Sequence, residues 1–506
     1  MTVTILDESR KPTPARVYLV DSAGKAQFPA GAIVYDRVRP DGFGAEQHFV
    51  PANGWFSVDL PGGVCQLTIE RGKEYLPVSE AITIPQSGRV ERTVRLTRWV
   101  HMARLGWYSA DMHVHRPLRD MATLLEAEDL NLGLPITRWR TTPDKLREDE
   151  DTLKFLSGRA DALGAIRIAG HRWMTVLNEE LEPRGSAVLV TRLGRRPAEL
   201  RYPLVEYGKR SVERGALADV EKGTAWELPV IAALGGCQFV GLANNHFWRT
   251  GYYRPGWGAW PDQMIRSYAP ACAGYALAGL DMYYVLLNMG FPLKVSAGSA
   301  NGVHPVPLGW SRLYVKVKGE FRPEKWFEGA AAGRSFATTG PMLFLKVNGL
   351  EPGAESRAGR FPLDVTAEIE LWSEKPRSSA EVIVNGKAFP VALSAAGRGR
   401  VCRGRRELRL TASSWVAARW LDERGAACDV AHTSPIYFWR GHEPIPIPRV
   451  EAEYLLKRVE AMIRDLEGGA PGRGLIVADT PDLRQRTLEG LRAAQAVYRK
   501  KLEQAQ

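Results

Sequence analysis

The sequence predicts a multidomain α/β protein in which a β/α barrel is flanked by two β-sandwich-like domains and followed by a C-terminal helical hairpin. Three observations predict it. Strand-like alternation fills residues 1–99 and returns over residues 343–446. Between them, over residues 100–342, apolar strand runs alternate with helical spacing, and residues 447–506 are helical throughout.

The first segment carries short runs of β-formers cut by Pro and Gly. Residues 15–20 and 54–60 are two such runs, and residues 66–70 and 90–96 alternate cleanly. The pattern changes near residue 100. Residues 107–116, Trp-Tyr-Ser-Ala-Asp-Met-His-Val-His-Arg, read as a strand, residues 121–130 as a helix, and residues 132–136 as a buried strand. Helices are then expected at residues 229–234 and 282–289, with strands at residues 239–243 and 293–297. Such alternation closes naturally into a barrel with its site at the C-terminal strand ends. Residues 368–372 and 380–384 return to β character, and Asn385-Gly386 is a strong hairpin signal. Residues 452–466 and 483–502 are amphipathic and separated by a Gly/Pro break at residues 468–472.

The net charge is +11, but the Lys and Arg residues are scattered, so no nucleic-acid partner is expected; a small-molecule substrate is. No apolar run reaches membrane-spanning length. The five cysteines lie far apart and form no Cys-x-x-Cys pair, which is neither a zinc-ribbon nor a disulfide-scaffold pattern, although one long-range bridge is compatible with it. Residues 1–5 begin in strand-like sequence, which reads as cytoplasmic as numbered, or as secreted or periplasmic if a leader was removed. A homo-oligomer is compatible with the sequence.

Asp111-x-His113-x-His115 ends an apolar run. Strand side chains alternate faces, so the two imidazoles share one side and make half of a transition-metal site; the plain alternative is a pair of surface histidines. Residues 178–182, Asn-Glu-Glu-Leu-Glu, deliver carboxylates after a β-rich run, or form a charged loop. Residues 216–222 end in Asp219 and Glu221 on one face with Lys222 beside them, or form a solvated strand end. Residues 240–246 end in Asn244, Asn245 and His246. The loop that follows, with Phe247, Trp248, Tyr252, Tyr253, Trp257, Trp260, Arg249 and Arg254, suits a pocket rim or a satellite apolar cluster. The small residues of 296–302 suit close backbone approach or a plain flexible loop, and His304 follows as a further candidate. His48, His101, His171, His432 and His442 read as structural.

Residues 107–116, 241–246, 286–292 with 296–309, and 333–341 together resemble the CehA/McbA metallohydrolases, carbaryl-hydrolase-like members of the PHP superfamily. The resemblance covers residues 100–345 and implies a distorted PHP-type barrel that hydrolyses an ester, carbamate or phosphoester. By position it implies His113, His115 and Glu180 as metal ligands, with Glu179 as the fallback for Glu180, and Lys222 falls where relatives have a His. The sequence departs from the pattern at Ile136-Thr137-Arg138, Gly185-Ser186 and Ala300, where further ligands are expected. That leaves one divalent metal, zinc or manganese, held by His113, His115, Glu180 and His246. Asp219 or Glu221 is then expected as the base. Lys222, Arg116 or Arg138 would stabilise charge, and Asn245, Trp248 and His304 would complete the substrate pocket. The missing ligands support an alternative, a catalytically reduced PHP-like barrel that binds a ligand or carbohydrate.

Overall fold

In the computed structural model the described residues are 1–39, 44–142, 145–183, 185–191, 194, 202–254, 264–396, 400–468 and 478–506. The protein is multidomain α/β, and its strands outnumber its helices. Residues 2–98 form a three-stranded and a five-stranded sheet that close on a shared core of Val3, Ile5, Val17, Phe49, Phe56 and Ile69, with a two-stranded pair of residues 75–76 and 97–98 beside them. The alternation at residues 66–70 has the expected cause: Cys65, Leu67 and Ile69 are buried while their neighbours face outward.

The central region starts with β1 (Trp107–Val114), buried along its whole length. Helix α1 (Leu118–Ala127) follows and buries Leu118, Met121, Leu124 and Leu125 at helical spacing. Next come β2 (Leu132–Thr142), β3 (Asn178–Leu181), β4 (Val188–Thr191), α2 (Leu204–Glu213) and β5 (Leu217–Val220). They are followed by α3 (Leu228–Ala233), β6 (Phe239–Ala243), α4 (Cys272–Asn288), β7 (Lys294–Ala297), β8 (Arg312–Lys316) and β9 (Ser335–Thr338). Helix α4 is buried on nearly every face, so it shows almost no amphipathic signal, and its first half lies outside the segment the sequence marks as helical.

Strands β1, β2 and β3 run parallel, as do β5, β6 and β7. Strand β4 departs from the all-parallel expectation: it sits antiparallel between β3 and β5. The link from Leu181 to Val188 is too short to hold a crossover helix, so the chain must turn back. Beyond β7 the chain returns to β1. The Ala300 amide donates to the His113 carbonyl (2.7 Å), the His115 amide donates to Asn301 (2.7 Å), and Asn301 bridges Val114 in parallel. The strand ends are thereby drawn together around His113.

The C-terminal β region is a sandwich. A four-stranded sheet packs on a second sheet through Leu343, Ile369, Leu371, Val382, Val416 and Phe438. The second sheet is continuous with the central region, because β9 pairs antiparallel with residues 427–433. Asn385 and Gly386, both at positive φ, form the turn between strands 379–384 and 387–392, as the sequence predicts. The helical pair is α5 (Arg449–Glu467) and α6 (Pro481–Glu503), packed on each other and on α3. Thr480 caps α6 by accepting from the Leu483 amide (3.2 Å), and Pro481 occupies the first turn. Most of the Gly/Pro break lies outside the described residues.

Cys272, at the start of α4, is joined to Cys428 in the C-terminal sandwich across 156 residues of sequence. Cys65, Cys237 and Cys402 are free and buried. Closing so long a loop restricts the unfolded chain, so Cys272→Ser is expected to lower stability by about 2–5 kcal/mol. Urea melts of the variant, and of the wild type with reductant, should show the same fall in midpoint.

Candidate metal centre

The centre is built on the end of β1. His113 lies in the strand and His115 just past it, so alternation turns both rings to one face, and their Nε2 atoms are 3.0 Å apart. Glu180, in β3, presents Oε2 to both, 3.0 Å from His115 Nε2 and 3.4 Å from His113 Nε2. These three side chains are the metal-competent group among the described residues. Two imidazole nitrogens and a carboxylate oxygen converge on one point, and Glu180 Oε2 has no other hydrogen-bond donor. The edges of the triangle, 3.0–3.4 Å, match the separations between ligand atoms around a divalent ion. Tetrahedral bonds of ~2.05 Å give about 3.3 Å, and octahedral bonds of ~2.1 Å about 3.0 Å. The donor set therefore fits a divalent metal.

The electrostatics agree. Burial drives the Glu180 carboxyl upward, but the two imidazoles outweigh it and hold the group below the usual carboxylate range. Burial pushes His115 down, against the pull of Glu180, which favours the neutral ring a metal needs. The ring of Trp139 packs on His115 with centroids 4.6 Å apart.

A second layer orients the first. Glu221 Oε2 lies 3.2 Å from His113 Nδ1, leaving Nε2 for the centre. Its other oxygen contacts the Lys222 ammonium. Asp219 is on the same face, as alternation predicts, but it accepts from Ser296 Oγ (2.6 Å) and is 2% exposed, so it lies beneath the centre rather than in it. Burial raises its carboxyl to about 6, against the Ser296 bond and His113. Lys222 is lowered to about 8 by burial, against Glu182 and Glu180. Glu182 accepts from Trp139 Nε1 (2.9 Å) and is raised to about 7 by burial and by Glu180.

Asp111 holds this arrangement. Its buried carboxylate accepts from the amides of His113 (3.1 Å), Ser299 (3.0 Å) and Gly309 (2.7 Å) and from Ser299 Oγ. Gly298 is required beside it, because a Cβ there would lie 2.4 Å from His113 Cβ and 2.9 Å from its amide nitrogen.

The other sequence candidates fall into two groups. His246 is outside the ligand triangle: its Nδ1 is 2.9 Å from the Tyr275 hydroxyl, and its ring packs on Tyr253 and His304. Burial, aided by Lys222, drives it well below the ordinary range. His304 is beside it, with a buried Nδ1 lacking a partner, and is pushed to about 3 by burial and by Lys222. The Tyr35 hydroxyl donates to the His304 carbonyl, so the N-terminal domain reaches this wall. Asn245 Nδ2 is 3.5 Å from Glu221 Oε2.

Arg138 is not directed at the triangle. It donates to Glu179 and Glu148, both at 2.8 Å, and Glu179 is therefore paired away from the centre. Arg116 is 3.4 Å from Asp120 and lies over Tyr35. Trp248 is buried against Val306 and Trp310 and donates to the Asn245 carbonyl, which makes it part of the wall. Trp257 and Trp260 lie outside the described residues. His48 pairs with Glu46, and His432 with Tyr284, as structural histidines.

Comparison with protein-family models, curated proteins and solved structures returns no match.

Two outcomes follow. Gly298→Ala should displace His113 and abolish stoichiometric metal uptake, read by elemental analysis of folded protein. Asp219, with its carboxyl raised from 3.8 to about 6, contributes stability that is present below pH ~3.8 and lost as pH climbs through ~6. In chelator-treated protein, the stability of wild type relative to Asp219→Asn should fall by about 2–3 kcal/mol across that window, measured by urea melts at each pH.

Proposed function

We propose that the protein is a mononuclear metal-dependent hydrolase of the CehA/McbA type within the PHP superfamily, acting on an ester, carbamate or phosphoester. The observation that carries this reading is the buried triangle of His113 Nε2, His115 Nε2 and Glu180 Oε2. A bound zinc or manganese ion would supply Lewis acidity and water of lowered pKa. His113, His115 and Glu180 are the residues that hold it.

The remaining roles belong to the chain's own groups. Glu221 fixes the tautomer and orientation of His113 through Nδ1, which makes it a positioning residue. Lys222, held against Glu221, is suited to stabilise negative charge developing on the scissile group. Glu180 is held below the ordinary carboxylate range by the imidazoles while burial and Glu180 raise Glu182 to about 7, so the two neighbouring carboxylates are pushed apart. The aromatic wall of Trp139, Tyr253 and Trp248 suits an organic substrate. The binding-protein alternative shares the triangle and differs only in turnover.

Protein purified without chelator should carry one divalent ion per chain, and His113→Ala or Glu180→Ala should lose it. A panel of aryl esters, carbamates and phosphoesters should show turnover that chelation abolishes. Metal retained without turnover of any class would favour the binding protein; no metal and no turnover would end both readings. Glu221→Gln should weaken metal affinity about 10–100-fold, whereas a residue acting only as a base would leave affinity unchanged. Lys222→Met should lower kcat about 10²–10³-fold at unchanged metal content.

A further inference from the structure

A cavity of about 310 Å³ lies where the three β-rich regions meet. Its walls come from the N-terminal sandwich (Lys73, Arg16), the central region (Arg249, Trp310) and the C-terminal sandwich (Arg424, Asp429). None of its lining residues belongs to the metal triangle. Its volume falls at the small end of ligand pockets, about 300–1,000 Å³.

Its chemistry is lopsided. Six Lys and Arg side chains line it against three Asp and Glu. Several of the cations are satisfied: Arg16 is paired with Glu70 and with Glu128 (2.6 Å), and Arg424 with Asp429 (2.8 Å). Lys73 is not. Among the described residues no carboxylate lies at ion-pair distance from its ammonium, which rests 3.3 Å from the centroid of the Trp310 ring. Burial lowers Lys73 to about 7, against the attraction of Asp429. Trp310 is 7% exposed, and its indole N–H is buried with no acceptor. An ammonium with no carboxylate at ion-pair distance, in a cavity lined by more cations than carboxylates, calls for an oxyanion.

We propose that this junction cavity binds a small organic anion whose carboxylate or phosphate oxygens accept from the Lys73 ammonium beside the Trp310 ring, at a site distinct from the metal centre. The aromatic face of Trp310 and the neighbouring Trp99 and Tyr75 give the organic part of such a ligand apolar contact.

Citrate and inorganic phosphate, each titrated to millimolar concentration by calorimetry against full-length wild type at constant ionic strength, test it. The expected result is saturable binding of at least one of them, one per chain, weakened at least about tenfold in Lys73→Met and in Lys73→Gln. Lys73→Gln keeps a polar side chain and removes the charge, so a fold defect in one variant leaves the other decisive. Citrate binding alone would assign a carboxylate ligand and phosphate binding alone a phosphoryl one. No saturable binding of either anion, or equal affinity in both variants, would overturn the proposal. Metal content measured in the same samples should be unchanged, which separates this site from the hydrolase reading.

Discussion

The carboxylate of Asp111 is the constraint on which the centre depends. A buried carboxyl without partners would be costly, and burial alone would raise it. Here it gathers three backbone amides and a hydroxyl from two chain segments far apart in sequence. Those bonds tie the end of β1 to the segment that follows β7. They also fix the backbone of His113, and the contact of Glu221 with Nδ1 orients its ring. The absence of a side chain at position 298 lets the two segments come close enough for this to happen.

Around that knot the buried charges are arranged in shells. Glu180 faces two imidazoles, Glu221 spans one imidazole and an ammonium, and Asp219 is satisfied by a serine. Removing one partner would leave another buried charge uncompensated. Arg138 draws Glu179 outward, so of two adjacent glutamates on one strand only Glu180 faces the centre. The two faces of a strand thus sort a metal ligand from a structural ion pair.

Much of this was legible in the sequence. Alternation alone put His113 with His115 and Asp219 with Glu221, and the strand at residues 239–243 ends where its apolar run gives way to polar groups, whereas the carboxylates of residues 178–181 lie within a buried strand of their own. Residues that act through the backbone were not legible. Asp111 appeared as part of a motif without its four donors, and Gly298 appeared only as one of several small residues. Antiparallel β4 was hidden because a four-residue buried strand carries no direction. The roles of Arg138 and His246 depend on Glu179 and Tyr275, distant in sequence, which periodicity cannot pair. The signal for Glu182 was present, since it shares the face of Glu180 two residues on, but the charge of Lys222 and the indole of Trp139 that surround it come from other strands.

The Cys272–Cys428 bridge adds a mechanical asymmetry. On one flank, a covalent clasp and a shared sheet bind α4 and the central strands to the C-terminal sandwich. On the other, the N-terminal sandwich meets the His304 segment through the hydroxyl of Tyr35 and the guanidinium of Arg37. The first flank is thus joined covalently, whereas the second is held by hydrogen bonds and by the buried Arg16–Glu128 ion pair.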